Sequence, residues 1–355
     1  MPERPTLAVV GGTGAVGRTV LSLLRLREDL WGEVRVCASP DDVGTTVVAR
    51  GEELVVQRLS RDFFDGVDIA LFDLPPQLAR TWAPIAVAAG AIVIDNSTDF
   101  REEHDVPLVA SSVNPLKLRD RPRGIIANPG ATALTILEAL GVLHTQWDLG
   151  ELVLTTFQAA SGLGRRGTQR LYDEMALVGA DRTLGRSPGD VRRLVEHELG
   201  PSPFPAPLAY NVVPFVGVGS EDGATSEETK VRGEIRKVLE LPRLPISATC
   251  VRVPVVTSHS VAVHARFERR LTADDVRQAL MDAPTIVVLD DIEHHEFPTP
   301  VDAVGSDPRF VGRIRQTPGL RNAIDFFICS DNLRTGGALN LVENAELVRP
   351  ELHRG

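Results

Sequence analysis

Cysteine is scarce in this sequence: three in 355 residues, at Cys37, Cys250 and Cys329. Thiols so few and so scattered supply neither a disulfide frame nor a structural zinc site. Any cysteine-based mechanism must use one of those three. Lysine is equally scarce, with only Lys117, Lys230 and Lys237 among 38 basic residues, so each lysine's position carries information. Long apolar runs are missing too. The longest, residues 83–94, is broken by Pro84 and Gly90 and falls short of the ~20 residues that span a bilayer. The opening Met-Pro-Glu-Arg-Pro has no basic n-region with an apolar stretch behind it, so the expectation is a cytoplasmic protein with no membrane partner. A net charge of −10 disfavours a nucleic-acid partner. No internal repeat is found. Hydrophobic content of 43% with 24% charged residues excludes a disordered or fibrous chain. The length suits two domains of roughly 100–200 residues each.

The apolar run Thr6–Val10 leads into Gly11-Gly-Thr-Gly-Ala-Val-Gly17 and then a helical pattern at Val20, Leu21, Leu23 and Leu24. Strand, glycine turn and helix in that order form the context in which such glycines mark a dinucleotide fold. The turn lets a pyrophosphate approach the helix N-terminus, where amides and the helix dipole favour anions. Strand-like runs at Glu33–Ala38, Asp68–Phe72, Ala91–Ile94 and Gly124–Ala127, with a helical Gln77–Ala89, predict a doubly wound parallel sheet. From Leu152 the texture changes. β-rich segments (Leu152–Gln158, Cys250–Val256, Val261–Phe267) mix with helical ones (Arg165–Val178, Thr229–Leu239, Thr272–Met281), which predicts an α+β domain on a mixed or antiparallel sheet. Pro201, Pro203, Pro205 and Pro207 punctuate an ordered loop inside it. The expected fold class is therefore α/β: a Rossmann-type sheet over residues 1–130, completed by 332–355, with an inserted α+β substrate and dimerisation domain over 131–331.

The order of dispersed motifs resembles one family, the aspartate-β-semialdehyde dehydrogenases. The match runs from the glycine loop through Asp95-Asn-Ser-Thr-Asp-Phe-Arg101, Thr156-Phe-Gln-Ala-Ala-Ser-Gly162, Tyr210-Asn-Val-Val-Pro214 and Glu227-Glu-Thr-Lys230. It continues through Thr249-Cys-Val-Arg-Val-Pro254 to Asp331-Asn-Leu-Arg-Thr-Gly-Gly337. The resemblance implies a Rossmann-type domain completed by the C-terminal helix, a dimer-forming substrate domain, and NADPH-dependent reductive dephosphorylation of β-aspartyl phosphate through a cysteine thioacyl enzyme. It implies that Arg101 and Lys230 hold the acyl phosphate by charge-assisted hydrogen bonds. Arg252 would grip the substrate α-carboxylate bidentately, Glu227 would face the α-ammonium, and Gln158 would orient the substrate. His259 stands where the family has its acid/base. On the cofactor side it points to Gly11, Thr13, Gly14, Ala15, Val16, Gly17, Ser39 and Asn340. Surface charge for Glu227 and Lys230, and structural hydrogen bonding for Gln158 and His259, are the bland alternatives.

The chain departs from the pattern at the nucleophile. The family's Asn-Pro-Asn-Cys reads Asn128-Pro-Gly130-Ala131 here, and alanine has no lone pair with which to form a thioacyl intermediate. Asn128 remains as a substrate-side residue. Where the family carries an Arg for the 2′-phosphate of NADP this chain has Asp41, followed by Asp42. A carboxylate there would repel that phosphate and bond a ribose hydroxyl, favouring NAD over NADP if either binds. The family's small Ser-Ala-Gly-Gly loop has become Asp73-Leu-Pro-Pro76, bulkier and stiffened by proline. The local cluster Asp290-Asp-Ile-Glu-His294-His295-Glu296 is not expected to bind metal, because adjacent histidines point apart.

Two readings follow for a small-molecule, aspartate-type ligand. In the first, a diverged enzyme uses His259 in cysteine-independent chemistry, either direct carbonyl or imine reduction or a non-redox conversion. In the second, a non-catalytic paralogue binds the ligand or serves as a partner subunit. The ordinary NADP-dependent dehydrogenase activity would require an unrecognised nucleophile. The expected assembly is a homodimer or homotetramer, or a hetero-oligomer with an active paralogue.

Overall fold

The structure is a computed structural model, and it describes residues 4–27 and 29–352. The chain divides into two compact units. The first takes in residues up to Glu138, the segment Gly233–Pro242 and residues from Leu333. The second comprises Ala139–Arg232 and Arg243–Asn332. The first division, between Glu138 and Ala139, falls inside the helix that begins at Ala131.

In the first unit the strands are β1 (Leu7–Val10), β2 (Val34–Ala38), a β3–β4 hairpin (Thr46–Ala49, Glu52–Val55), β5 (Gln57–Arg58), β6 (Ile69–Phe72), β7 (Ile92–Asp95) and β8 (Ile125–Ala127). All but the hairpin form one sheet in the order β5-β2-β1-β6-β7-β8, with every pairing parallel. Chain order reverses direction beside β1, the switch point at which such sheets leave a crevice for a ligand. Strands β1 and β6, Leu-Ala-Val-Val and Ile-Ala-Leu-Phe, are buried at every position. That continuous apolar character is what a parallel strand covered on both faces requires. Helix α1 (Ala15–Leu24) buries Val20, Leu21, Leu23 and Leu24 on one stripe, and α2 (Pro76–Ala88) buries Ala79, Ala83 and Ala86. Three residues separate the end of β8 from helix α3 (Ala131–Trp147).

The second unit holds β9 (Leu149–Gln158), α4 (Gly164–Gly179), α5 (Asp190–Leu199), β10 (Ile246–Arg252), β11 (His259–Phe267), α7 (Ala273–Met281), β12 (Ile286–Val288), α8 (Pro300–Ala303), β13 (Arg309–Gln316) and β14 (Ala323–Ser330). Helix α6 (Ser226–Val238) begins in this unit and ends in the first. The mixed sheet runs β10-β9-β11-β14-β13-β12, parallel at its two outer pairs and antiparallel between. Along β9 and β11 buried positions alternate with half-exposed ones, so one sheet face is core and the other is open. The open face carries Val153, Thr155, Ala262, His264 and Phe327 around a cavity of about 600 Å³.

The proline-rich segment is an ordered loop. Buried Glu174 on α4 receives the amides of Leu208 (2.6 Å) and Ala209 (3.1 Å) and pairs with Arg170 at 2.7 Å, while Phe204 and Leu208 pack on Leu171. In the first unit the C-terminal helix α9 (Asn340–Val348) returns to the sheet, burying Leu341, Val342, Ala345 and Val348 in the same core as Leu7, Val9 and Leu71. No helix among the described residues is long and apolar enough to cross a membrane. His294 of the Asp290–Glu296 cluster bonds Asp291 at 2.7 Å, and among the described residues no group of three or more His, Cys, Asp or Glu is placed to hold a metal ion.

Candidate functional site

In the first unit the glycine loop joins β1 to α1 as its composition predicts. Gly11 has φ +96°, and a Cβ there would lie 2.2 Å from the Asp73 carbonyl oxygen. Only glycine allows that approach of the β1 and β6 ends. Helix α1 has Gly14 at its N-cap and no side-chain cap from it, which leaves first-turn amides available to another group. Beside the loop lies a cavity of about 430 Å³. Gly11, Thr13, Gly14, Ser39, Asp42 and Asp73 are among its walls, together with Leu74, Pro75, Leu78 and Trp82. Ala15 and Val16 open α1 and Gly17 follows within its first turn.

Of the two adjacent acids after β2, the structure places Asp42 and not Asp41 beside the glycine loop. Asp41 is exposed and does not line the cavity, whereas Asp42 does. The Asp42 carboxylate accepts the Thr13 hydroxyl at 2.8 Å and the Ser39 hydroxyl at 2.6 Å. The cause is the short 3-10 turn Pro40–Asp42, which turns the second of the two acids back toward the glycine loop. Asn340, expected on the cofactor side, instead holds backbone. It accepts the Ser111 amide (2.8 Å) and donates to the Val109 carbonyl (2.8 Å) and the Asn128 side chain (2.5 Å).

The segment Asn128–Ala131 leads from β8 into α3. Asn128 is fully buried and donates to the Asn96 side chain at 2.9 Å. Ala131 is the first residue of α3, and a Cβ on Gly336 would come within 2.7 Å of the Ala131 Cβ. The Gly130 amide donates to Glu234 at 2.7 Å. The other Glu234 oxygen pairs with Arg101 at 2.8 Å, and Arg101 also donates to the Asn96 carbonyl at 2.7 Å. Arg101 is only 8% exposed. The resemblance assigns this guanidinium to a ligand phosphate; the structure gives it a buried carboxylate partner. A Cβ at position 130 would stand 2.7 Å from the Arg101 Nη1, so glycine there is what lets the Arg101–Glu234 pair close over the loop. Lys237 pins the segment that follows, donating to the carbonyls of Arg101, Glu103 and Val106 at 2.8, 2.6 and 2.9 Å.

The second unit brings Gln158, Glu227, Arg252 and His259 together. Gln158 ends β9, Arg252 ends the parallel neighbour β10 directly opposite it, and His259 starts β11. Gln158 donates to Glu227 at 3.3 Å. Arg252 donates to the Ala159 carbonyl at 2.6 Å, and the Ala159 amide donates to His259 Nδ1 at 3.2 Å. An amide can only donate, so Nδ1 is the unprotonated nitrogen and the neutral ring carries its hydrogen on Nε2. Burial, and then the Arg252 cation, push the His259 pKa down to about 3. Burial lowers the Arg252 pKa as well, with Glu227 acting to raise it. Gly162 closes this pocket: a Cβ there would meet Arg252 Nη1 at 2.7 Å and His259 Cε1 at 3.4 Å. Lys230 is half-buried on α6, one turn beyond Glu227.

Asn332 was not singled out from sequence. Its side-chain oxygen accepts the Ser161 hydroxyl at 3.0 Å and the Ser258 amide at 2.8 Å. It thereby fixes both chain segments flanking His259, including Ser258 at φ +84°. All three cysteines are buried, and burial pushes each thiol up to about 12.

Two family models match the chain. One, described as semialdehyde dehydrogenase, NAD binding domain, covers residues 6–121; the other, semialdehyde dehydrogenase, dimerisation domain, covers residues 140–335. These define a two-domain protein of the semialdehyde dehydrogenase class. The chain is 39% identical over 348 residues to the aspartate-semialdehyde dehydrogenase of Streptomyces akiyoshiensis, covering 98% of this chain and 99% of that one. It is 35% identical to the Bacillus subtilis enzyme of the same name over 351 residues, 97% of each. The crystal structure of aspartate semialdehyde dehydrogenase II from Vibrio cholerae complexed with ASA matches with a TM-score of 0.88 at 34% identity, covering 98% of both chains. The chain belongs to the aspartate-semialdehyde dehydrogenase family.

Proposed function

We propose that this chain is a diverged member of its family, with a pocket for an aspartate-type ligand and chemistry that does not pass through a thioacyl enzyme. The observation that carries this reading is Ala131 at the start of α3, in the family's nucleophile segment. A methyl group cannot attack a carbonyl. The three thiols of the chain offer no replacement, since each is buried and held in its protonated form far above neutral pH. Thr132 is next to Ala131 but only 2% exposed.

In the second unit Arg252 supplies a guanidinium for a ligand carboxylate, and Glu227, held by Gln158, supplies a carboxylate for an ammonium group. Those are the two charges that distinguish an α-amino acid. His259 is neutral at physiological pH and presents Nε2–H, so its part is to donate a hydrogen bond to a carbonyl oxygen and polarise it. A ligand carboxylate paired with Arg252 would offset the second cause of the low His259 pKa and move the ring toward protonation. The Arg101–Glu234 pair removes one of the two cations the resemblance assigns to an acyl phosphate, which favours a ligand with an uncharged terminal carbonyl over a phosphorylated one.

The matched NAD binding domain would contribute hydride chemistry when a nicotinamide dinucleotide is bound. On this chain Asp42, backed by Thr13 and Ser39, opposes the 2′-phosphate of NADP and leaves NAD as the form compatible with the ribose end. The matched dimerisation domain supports a homo-oligomer built on the second unit.

A second reading, a ligand-binding subunit without turnover, is favoured by the His259 pKa of about 3, since a ring so poorly basic takes up no proton at neutral pH. Calorimetric titration with L-aspartate and its semialdehyde, followed by mass detection of products, tests both. Binding lost in Arg252→Ala with turnover lost in His259→Ala supports the enzyme. Binding with no product under any condition supports the subunit. Efficient oxidation of the semialdehyde with phosphate and NADP, surviving replacement of all three cysteines, overturns the assignment of Ala131.

A further inference from the structure

The matched NAD binding domain carries an internal acid where a dinucleotide would place its phosphates. Asp73 follows β6, the strand beside β1, and so meets the glycine loop from the neighbouring strand end. Its Oδ1 accepts from Asn96 Nδ2 at 2.9 Å. The Gly17 amide, in the uncapped first turn of α1, bonds the same carboxylate. Its Oδ2 lies 3.4 Å from the point where a Cβ on Gly14 would stand, so the carboxylate rests against the floor of the loop. The first-turn amides of α1 are the anion-binding element of this fold, since they are unpaired in the helix and lie at the positive end of its dipole. Asn96 leads out of β7 and holds the acid from the far side, so Asp73 is clamped between two neighbouring strand ends and the helix.

The surroundings reinforce the effect. A second carboxylate, Asp42, lines the same cavity, and Arg58 is the single cation among its wall residues. Leu74, Pro75 and Pro76 follow Asp73, and the prolines hold the backbone of that turn. A pyrophosphate brings two negative charges into this space. One would displace Asp73 from its donors, or else sit within a few ångströms of it, and burial already raises the pKa of that carboxyl by disfavouring its charge.

We infer that Asp73 is an internal substitute for the dinucleotide pyrophosphate, and that the native protein does not bind NAD(H) or NADP(H) despite its Rossmann-type fold. The residues of the loop keep the fold of a cofactor domain and do not fit the cofactor. This decides between the two cysteine-independent routes left to the second unit, because without a dinucleotide there is no hydride donor and the conversion there is non-redox. The inference rests on the first unit alone and stands whether or not the aspartate-type pocket is correctly read.

Calorimetric titration of the full-length protein with NAD⁺, NADH and NADPH tests it directly. Native protein should show no saturable binding up to about 1 mM, an affinity equivalent to little more than ~4 kcal/mol. Asp73→Asn keeps the shape and removes the charge, and Asp73→Ser removes the charge and shortens the side chain. With thermal melting showing both folded, at least one should bind NAD(H) at least about tenfold more tightly than the native protein. Micromolar NAD(H) or NADPH binding by the native protein overturns the inference. So does failure of both folded variants to gain affinity. A gain for NADPH equal to that for NADH would leave Asp73 in its role and instead remove Asp42 from the discrimination between the two cofactors. The titration is indifferent to L-aspartate binding, which is measured separately and bears only on the second-unit pocket.

Discussion

Asp95 ends β7 fully buried, and its Oδ1 has no hydrogen-bond partner. Burial raises its pKa to about 7, with Ser97 and Arg101 acting to lower it and Asp73 adding to the rise. A carboxyl with a raised native pKa binds a proton in the folded state that it releases on unfolding. Its contribution to stability is therefore full below the ordinary value of about 4 and is lost as pH rises to about 7. Across that window stability should fall by about 1.4 kcal/mol per pH unit from this group alone. Asp95→Asn should flatten that slope and exceed the native protein in stability at pH 8, as read by urea melts between pH 5 and pH 8. A variant melting in parallel with the native protein at every pH would show that Asp95 titrates normally. Gly162 gives a second test at the same scale. Its φ is not in the left-handed region, so alanine there clashes with the Arg252 Nη1 at 2.7 Å and meets the His259 ring only at ordinary contact distance, 3.4 Å. Gly162→Ala should weaken L-aspartate binding at least about tenfold, by the ~1.4 kcal/mol that a displaced guanidinium costs, with little change in melting temperature. Equal affinity in the variant would take Arg252 out of the ligand's reach.

Among the elements, Lys237 shows why a lysine is kept in a chain that otherwise uses arginine. A compact ammonium has three donors and can point them at three carbonyls at once, which a planar guanidinium cannot do. Its three bonds tie the end of α6 to the loop 101–106 within the first unit. Lys237→Met should destabilise the protein by about 2–3 kcal/mol in urea unfolding, because the stem is replaced while three carbonyls lose their donor. Lys237→Arg should recover less than half of that loss. Sequence periodicity located most elements of both units, since their apolar runs are long or strictly alternating. It placed the second strand of the Arg252 motif at 250–256, whereas β10 spans Ile246–Arg252. Pro254 has no amide to give to a ladder, and the apolar residues around it sit in the turn that leads to His259. The hairpin β3–β4 and helix α5 escaped notice because half or more of their residues face solvent and leave only a weak pattern. At the site, Arg252, Gln158 and His259 were named through the family resemblance. The partners Glu234, Asn96 and Asn332 did not stand out, since each acts through an approach in space that local sequence does not encode. That Asp42 and not Asp41 lines the cavity has the same origin: two adjacent acids are equivalent in a string and opposite in a turn.

For the whole molecule, the open sheet face of the second unit is the feature that a single chain leaves unexplained. Val153 is 38% exposed and Phe297 42% exposed, and the half-exposed Phe157 and Phe327 have ring centroids 6.1 Å apart. Large aromatic and branched side chains on one face of a six-stranded sheet are costly in water, at about 25 cal/mol for each Å² left exposed. The matched dimerisation domain spans this sheet, which supports a homodimer that buries the face against its own copy. The expected mass by light scattering at micromolar concentration is twice the 38.5 kDa of the chain. Phe327→Glu places a charge on the central antiparallel strand β14 without touching the buried side of the sheet, so the chain should stay folded and become monomeric. Retention of the native circular dichroism spectrum would show the fold intact. If that folded variant still runs at the dimer mass, the face is not the interface. Were the native protein itself monomeric at these concentrations, the exposed apolar face would need a different partner, and a mixed assembly with another member of the family would be the first to test by co-expression.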